Sequence, residues 1–170
     1  LDTLASPPGG GGLALLTPGR AARGGLGGLV PHEDAGGRRT AAELLGYVGS
    51  AADAPLLIGM LRDLSSEVRS VSARSLGRVG AESAAVALRV LLDDRMPDVR
   101  VAAAEALGAI DDIDATKLLV RQAESDLFEP ARAAARALAT IDPAEAIAQG
   151  QVPGAGPHLL NASALAELHR

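Results

Sequence analysis

The sequence predicts an all-α protein: a right-handed α-solenoid of about four stacked helical hairpins, preceded by a flexible N-terminal arm. Three observations carry that expectation. One apolar pattern recurs in register at steps of 31 residues. Within each copy the apolar positions follow the spacing of one helix face. Hydrophobic residues make up 48% of the 170 positions, yet aromatics make up only 1%, namely Tyr47 and Phe128. A core must therefore be built from Ala, Leu, Val and Ile, which suits closely packed helices better than a sheet held by aromatic cross-strand pairs.

Residues 1–37 are read as the arm. They hold 11 of the 20 glycines, with Pro7, Pro8, Pro18 and Pro31, and freezing so Gly-rich a backbone is costly while few side chains compensate. Two short apolar islands, Leu13–Leu16 and Leu26–Val30, are candidate docking points along it.

The repeat region is read as residues 38–148. Leu45, Leu76, Leu107 and Leu138 stand 31 apart, as do Ala42, Ala73, Ala104 and Ala135, and Val48, Val79, Ile110 and Ile141. A period between roughly 20 and 50 residues is the mark of a solenoid. Val68, Ser72, Leu76 and Val79 fall on one helical stripe, and so do Val99, Ala103, Leu107 and Ile110. Pro97 and Pro130 suit the first turn of a helix, where a missing N–H costs little, and Gly80 suits a helix end. Gly46, Gly77 and Gly108 fall inside the last turn, where glycine costs about 1 kcal/mol relative to alanine. Its repeated use there predicts close approach of a neighbouring helix.

A second apolar segment follows in each copy, at residues 54–61, 84–92 and 115–123, with Leu57, Leu88 and Leu119 in register. A hairpin of this size cannot bury two apolar stripes alone, so stacking must close the core. Asp142-Pro143-Ala144-Glu145 has the order of a capping box and predicts a short helix ending near Gly150. Residues 149–170 are read as a hinge and a terminal helix, Leu159 to Arg170, that caps the array or binds a partner.

Composition narrows the chemistry. The net charge of −5 argues against nucleic acid as partner. With no cysteine there is no disulfide, thiolate metal site or cysteine nucleophile, which is compatible with a cytoplasmic location. No apolar run approaches the roughly 20 residues of a membrane span, so direct membrane insertion of this stretch is not expected, and attachment to a membrane complex enters only as part of the accessory-subunit alternative below. The first residue is Leu1, which suggests a processed or truncated product.

The segments Val68-Arg69…Ala73…Leu76-Gly77 and Val99-Arg100…Ala104…Leu107-Gly108 resemble the short HEAT-like repeats of the phycobilisome-lyase type. The terminal copies depart from the pattern, with Gly37 in the Val slot of the first, and Pro130-Ala131 in the Val-Arg slots of the fourth. The resemblance implies an α-solenoid whose second helices line a concave face. It also implies that Arg38, Arg69 and Arg100 form an internal ladder with loop carboxylates, for which Asp63 and Asp94, six residues ahead of Arg69 and Arg100, are the candidates.

No catalytic, cofactor-binding or metal-binding residue is expected. His32-Glu33 lies in the arm, His158 in the hinge and His169 near the end, so they do not converge as metal ligands must. The pair Asp111-Asp112 reads as the start signal of the following segment. Arg62, Arg89, Lys117 and Arg121 fall on non-core positions of the second helices and are the candidate partner-binding residues, suited to an acidic protein segment. The leading expectation is thus a non-catalytic adaptor or scaffold. One alternative is a structural accessory subunit contacting a larger complex through arm and tail; the other is a bilin lyase-like chaperone, against which the scarcity of aromatics speaks.

Overall fold

A computed structural model describes residues 34–125, 128–148 and 150. The remainder of the arm, the hinge, the terminal helix and all three histidines lie outside them. The described residues form eight α-helices: α1 (Ala35–Val48), α2 (Ala54–Met60), α3 (Ser66–Arg78), α4 (Ala85–Leu91), α5 (Pro97–Ala109), α6 (Thr116–Ser125), α7 (Phe128–Ile141) and α8 (Pro143–Ala148). The 31-residue period survives in the structure to the residue. Odd-numbered helices begin at 35, 66, 97 and 128, and α2, α4 and α6 begin at 54, 85 and 116. A single 3₁₀ turn leads into each of these last three, at Ala51–Asp53, Glu82–Ala84 and Ile113–Ala115.

The odd helices stack in one layer, α1 on α3, α3 on α5 and α5 on α7. Each short second helix lies chiefly against the first helix of the following unit: α2 on α3, α4 on α5, α6 on α7. That arrangement is why no hairpin closes its own core. Leu45, Leu76, Leu107 and Leu138 are all buried, and so are Leu57, Leu88 and Leu119. Each such leucine contributes about 2 kcal/mol relative to an exposed one.

The glycines of the last turn are where the first-helix layer is tightest. A Cβ on Gly77 would lie 2.9 Å from Ala106 Cα on α5, and one on Gly108 would lie 3.1 Å from Ala137 Cα on α7. At Gly46 the neighbour is Ser75 on α3, whose hydroxyl donates to the Ala42 carbonyl at 2.7 Å. The expected close approach is therefore present at all three interfaces.

Helix ends follow the same register. Gly80 ends α3 in the left-handed conformation, φ 64°, with Ala81 N–H donating to Leu76 O and Gly80 N–H to Gly77 O; this is a Schellman closure. One period later Asp111 takes the same role, φ 56°, with Asp112 N–H donating to Leu107 O. Asp111 thus ends α5 rather than starting the next segment. At the far end, Asp142 Oδ1 accepts from Glu145 N at 3.0 Å and opens α8, the N-cap its sequence predicts.

Candidate interaction face and the arginine ladder

The loops between units carry two aspartates that hold the array together. Asp63 receives a two-pronged contact from Arg38 on α1, Nε to Oδ2 at 2.6 Å and Nη2 to Oδ1 at 2.9 Å. Asp94 receives the same from Arg69 on α3, at 2.8 and 3.0 Å. Each carboxylate also accepts from a turn N–H, of Ser65 or Met96, both at 2.9 Å. The main-chain carbonyl of each accepts from the arginine six residues on: Arg69 Nη1 to Asp63 O and Arg100 Nη1 to Asp94 O, both at 2.8 Å. One residue therefore ties two successive first helices, by its side chain to the earlier and by its backbone to the later.

The arginine ladder is thus internal, but its pairing differs from the one sequence proximity suggests. The carboxylates reach back 25 residues, and the nearer arginine takes the carbonyl. Electrostatics follow the geometry. The Arg38 hydrogen bond, ahead of the opposing effect of burial, holds the Asp63 carboxyl below its ordinary value. At Asp94 burial pushes upward most strongly, and the Arg69 bond, the Met96 N–H and the Arg69 and Arg95 charges together outweigh it and lower the pKa.

The outward stripe of the second helices is a different kind of surface. It runs through Pro55, Gly59 and Arg62 on and just beyond α2, Val86, Val90 and Asp93 on and just beyond α4, and Lys117, Arg121 and Glu124 on α6, all exposed. Arg89 points sideways: its Nε lies 2.8 Å from Asp112 Oδ2, a charge contact off the hydrogen-bond line, and its Nη2 lies 3.4 Å from Asp112 Oδ1 and 3.3 Å from Asp114 Oδ2. It is a junction between successive units. Arg121 Nη2 reaches Asp93 across the groove at 2.8 and 3.0 Å. Arg62 and Lys117 are exposed and make no ion pair with described residues. Of the four cations on these helices, two are neutralised within the array and two present their charge outward.

Val86 and Val90 were not singled out by sequence. They are 70% and 69% exposed, one helical turn apart at the middle of the face. Their signal was the departure from their column, since Pro55 and Lys117 stand where Val86 does, and Gly59 and Arg121 where Val90 does. Beside them a polar cleft of about 370 Å³ lies between the α4–α5 loop and α6, lined by Asp93, Asp94, Arg95, Arg100, Arg121 and Gln122. Among the described residues no cluster of three or more His, Asp or Glu could hold a metal, and no helix is long and apolar enough to cross a membrane.

A family model of HEAT repeats matches residues 25–95 and again 54–139. No curated protein matches the sequence. Among solved structures, the complex of CpcE and CpcF of phycocyanin lyase from Nostoc sp. PCC7120 is similar, at 28% identity and a TM-score of 0.63 over 86% of this chain. The chain spans 60% of the length of that relative. An engineered protein is similar at 25% identity and a TM-score of 0.58, over 75% of this chain and 67% of its own. Human deoxyhypusine hydroxylase shares the fold, at 24% identity and a TM-score of 0.62, over 85% of this chain and 50% of its own.

Proposed function

The chain belongs to the HEAT-repeat family, whose fold commonly mediates protein interactions, and from that premise we propose that it is a non-catalytic adaptor that holds a partner protein segment on its second-helix face. The observation that supports this most is the contrast between the two surfaces. The ladder arginines Arg38 and Arg69 are answered by Asp63 and Asp94 within the array, whereas the second-helix side exposes branched apolar side chains at Val86 and Val90 beside the cations Arg62 and Lys117. Exposed apolar area ringed by charge on a rigid support is what a protein interface requires. Arg121 completes the charged rim through its contact with Asp93. Arg89, braced by Asp112, acts by holding the face in shape.

The test is co-purification of partners on the tagged chain from its native cells, comparing wild type with a variant carrying Arg62→Glu, Lys117→Glu and Arg121→Glu. Partner recovery should fall while the helical circular dichroism is retained. Equal recovery would reject this surface.

A second reading, a lyase-like chaperone for a bilin chromophore, draws on the similarity to the phycocyanin lyase complex. Titrating the chain with free bilin separates the two, since a chaperone should shift the chromophore's absorption and an adaptor should not.

A further inference from the structure

Building on the adaptor reading, we infer that the occupant of the second-helix face is an amphipathic helix of a partner protein, seated by branched apolar side chains over Gly59, Val86 and Val90 and clamped by carboxylates at Arg62 and Lys117. Gly59 supplies an observation independent of the exposed valines. It lies in α2 with an ordinary backbone conformation, and a Cβ added there would meet nothing within 4 Å. Unlike Gly46, Gly77 and Gly108, it answers no demand of the scaffold, although glycine weakens a helix relative to alanine. What it provides is a flat spot on the outer surface, next to two exposed valines, where another backbone can come close.

Charge selects the occupant. Arg89 and Arg121 are answered by Asp112 and Asp93, so the outward cations are Arg62 at the end of α2 and Lys117 at the start of α6. They flank the apolar patch at opposite corners. Packed helices lie about 8–10 Å apart, and the seven positions between the two rows add about 10 Å along the helix axis, so the diagonal between the corners is roughly 21 Å. At 1.5 Å per residue that is about 14 residues of helix, close to four turns, which returns both carboxylates to the same side as the apolar stripe. A helix-in-groove contact of this kind uses apolar anchors for affinity and end charges for orientation.

The test uses a synthetic helical peptide with Leu at i, i+4 and i+7 in its centre and Glu at two positions 14 residues apart, titrated into the full chain by fluorescence anisotropy. A second peptide carries Lys in place of both Glu. The Glu peptide should bind, and the Lys peptide should bind at least fivefold more weakly. Val86→Asp with Val90→Asp should weaken the Glu peptide at least tenfold, and Gly59→Leu at least threefold, with circular dichroism unchanged. Arg62→Glu with Lys117→Glu should reverse the order of the two peptides, an effect that a merely misfolded variant cannot produce. Failure of the Glu peptide to bind, or binding indifferent to the valine changes, overturns the inference. If binding follows Arg121→Glu and ignores the valines, the adaptor reading stands and this seat for the partner is wrong. If the chain alone forms a dimer in sedimentation that Val90→Asp dissolves, the occupant is a second copy and the inference also falls.

Discussion

Replacing Gly77 by alanine should destabilise the protein, although alanine is the better helix former. Helix propensity alone favours the change by about 1 kcal/mol. Against it, the new Cβ would sit 2.9 Å from Ala106 Cα and 3.2 Å from Ala106 Cβ. Carbon atoms rest about 3.5–4.0 Å apart, so α3 and α5 must separate by several tenths of an ångström. Overpacking of that kind costs about 1–3 kcal/mol, and because the obstacle includes a main-chain atom, no rotamer change relieves it. The net expectation is a loss of about 1 kcal/mol, carried by the interface between two units rather than by either helix. Gly59→Ala is the matched control: with nothing within 4 Å of the added methyl, it should gain about 0.5–1 kcal/mol. Urea unfolding followed by circular dichroism reads both. A Gly77→Ala variant as stable as wild type, or two variants shifting in the same direction, would refute the idea that the glycine column exists to let first helices touch. Ala106→Gly added to Gly77→Ala should give no net recovery, since it removes the Cβ contact but leaves the Cα at 2.9 Å and costs α5 about 1 kcal/mol of helix propensity.

Three further outcomes follow from the ladder and the helix ends. Asp94→Ala strands the Arg69 guanidinium, which is 8% exposed, and should cost about 3 kcal/mol; Asp93→Ala, from the exposed pair with Arg121, should change urea stability by less than about 0.5 kcal/mol. The folded-state pKa values of Asp63 and Asp94 are depressed below the ordinary 3.8. Their contribution is therefore present above that value and lost as pH falls through the lower folded values. Stability measured from pH 6 to pH 2 should decline on this acid limb, and the double variant Asp63→Asn, Asp94→Asn should be less stable at neutral pH and flatter below pH 4. Asp111→Gly should raise stability by about 0.5 kcal/mol in the same urea assay, because φ 56° is a conformation glycine adopts freely and aspartate does not.

Much of the fold was legible because a solenoid repeats its requirements. Leu76 and Leu107 occupy the same buried environment 31 residues apart, so one pattern announces both, and the same holds for the glycines that face Ser75, Ala106 and Ala137. Of the 3₁₀ turns ahead of α2, α4 and α6, the first has a capping box between Ser50 and Asp53, while Glu82–Ala84 and Ile113–Ala115 are short and mixed in composition and carry no side-chain cap. Asp111 misled for a related reason: an acidic pair favours a helix start, and only the left-handed backbone at the end of α5 shows which helix it serves. On the candidate face, counting cations found Arg62, Arg89, Lys117 and Arg121 but could not separate those turned to Asp112 and Asp93 from those facing outward.

The sequence by itself determined the number of units, the period, the helical faces and the leucine and glycine columns, because each depends on residues a few positions apart on one helix or on the same position one period away. Tertiary structure alone decided who pairs with whom. Asp63 binds Arg38, 25 residues back, in preference to Arg69, six residues on, since stacking brings the loop against the earlier helix and leaves the nearer guanidinium within reach only of the carbonyl. The same stacking decides which cations are paired inside the array and which stay exposed on its surface. Charge depends on distance through space, and spacing along the chain records that distance only within a helix.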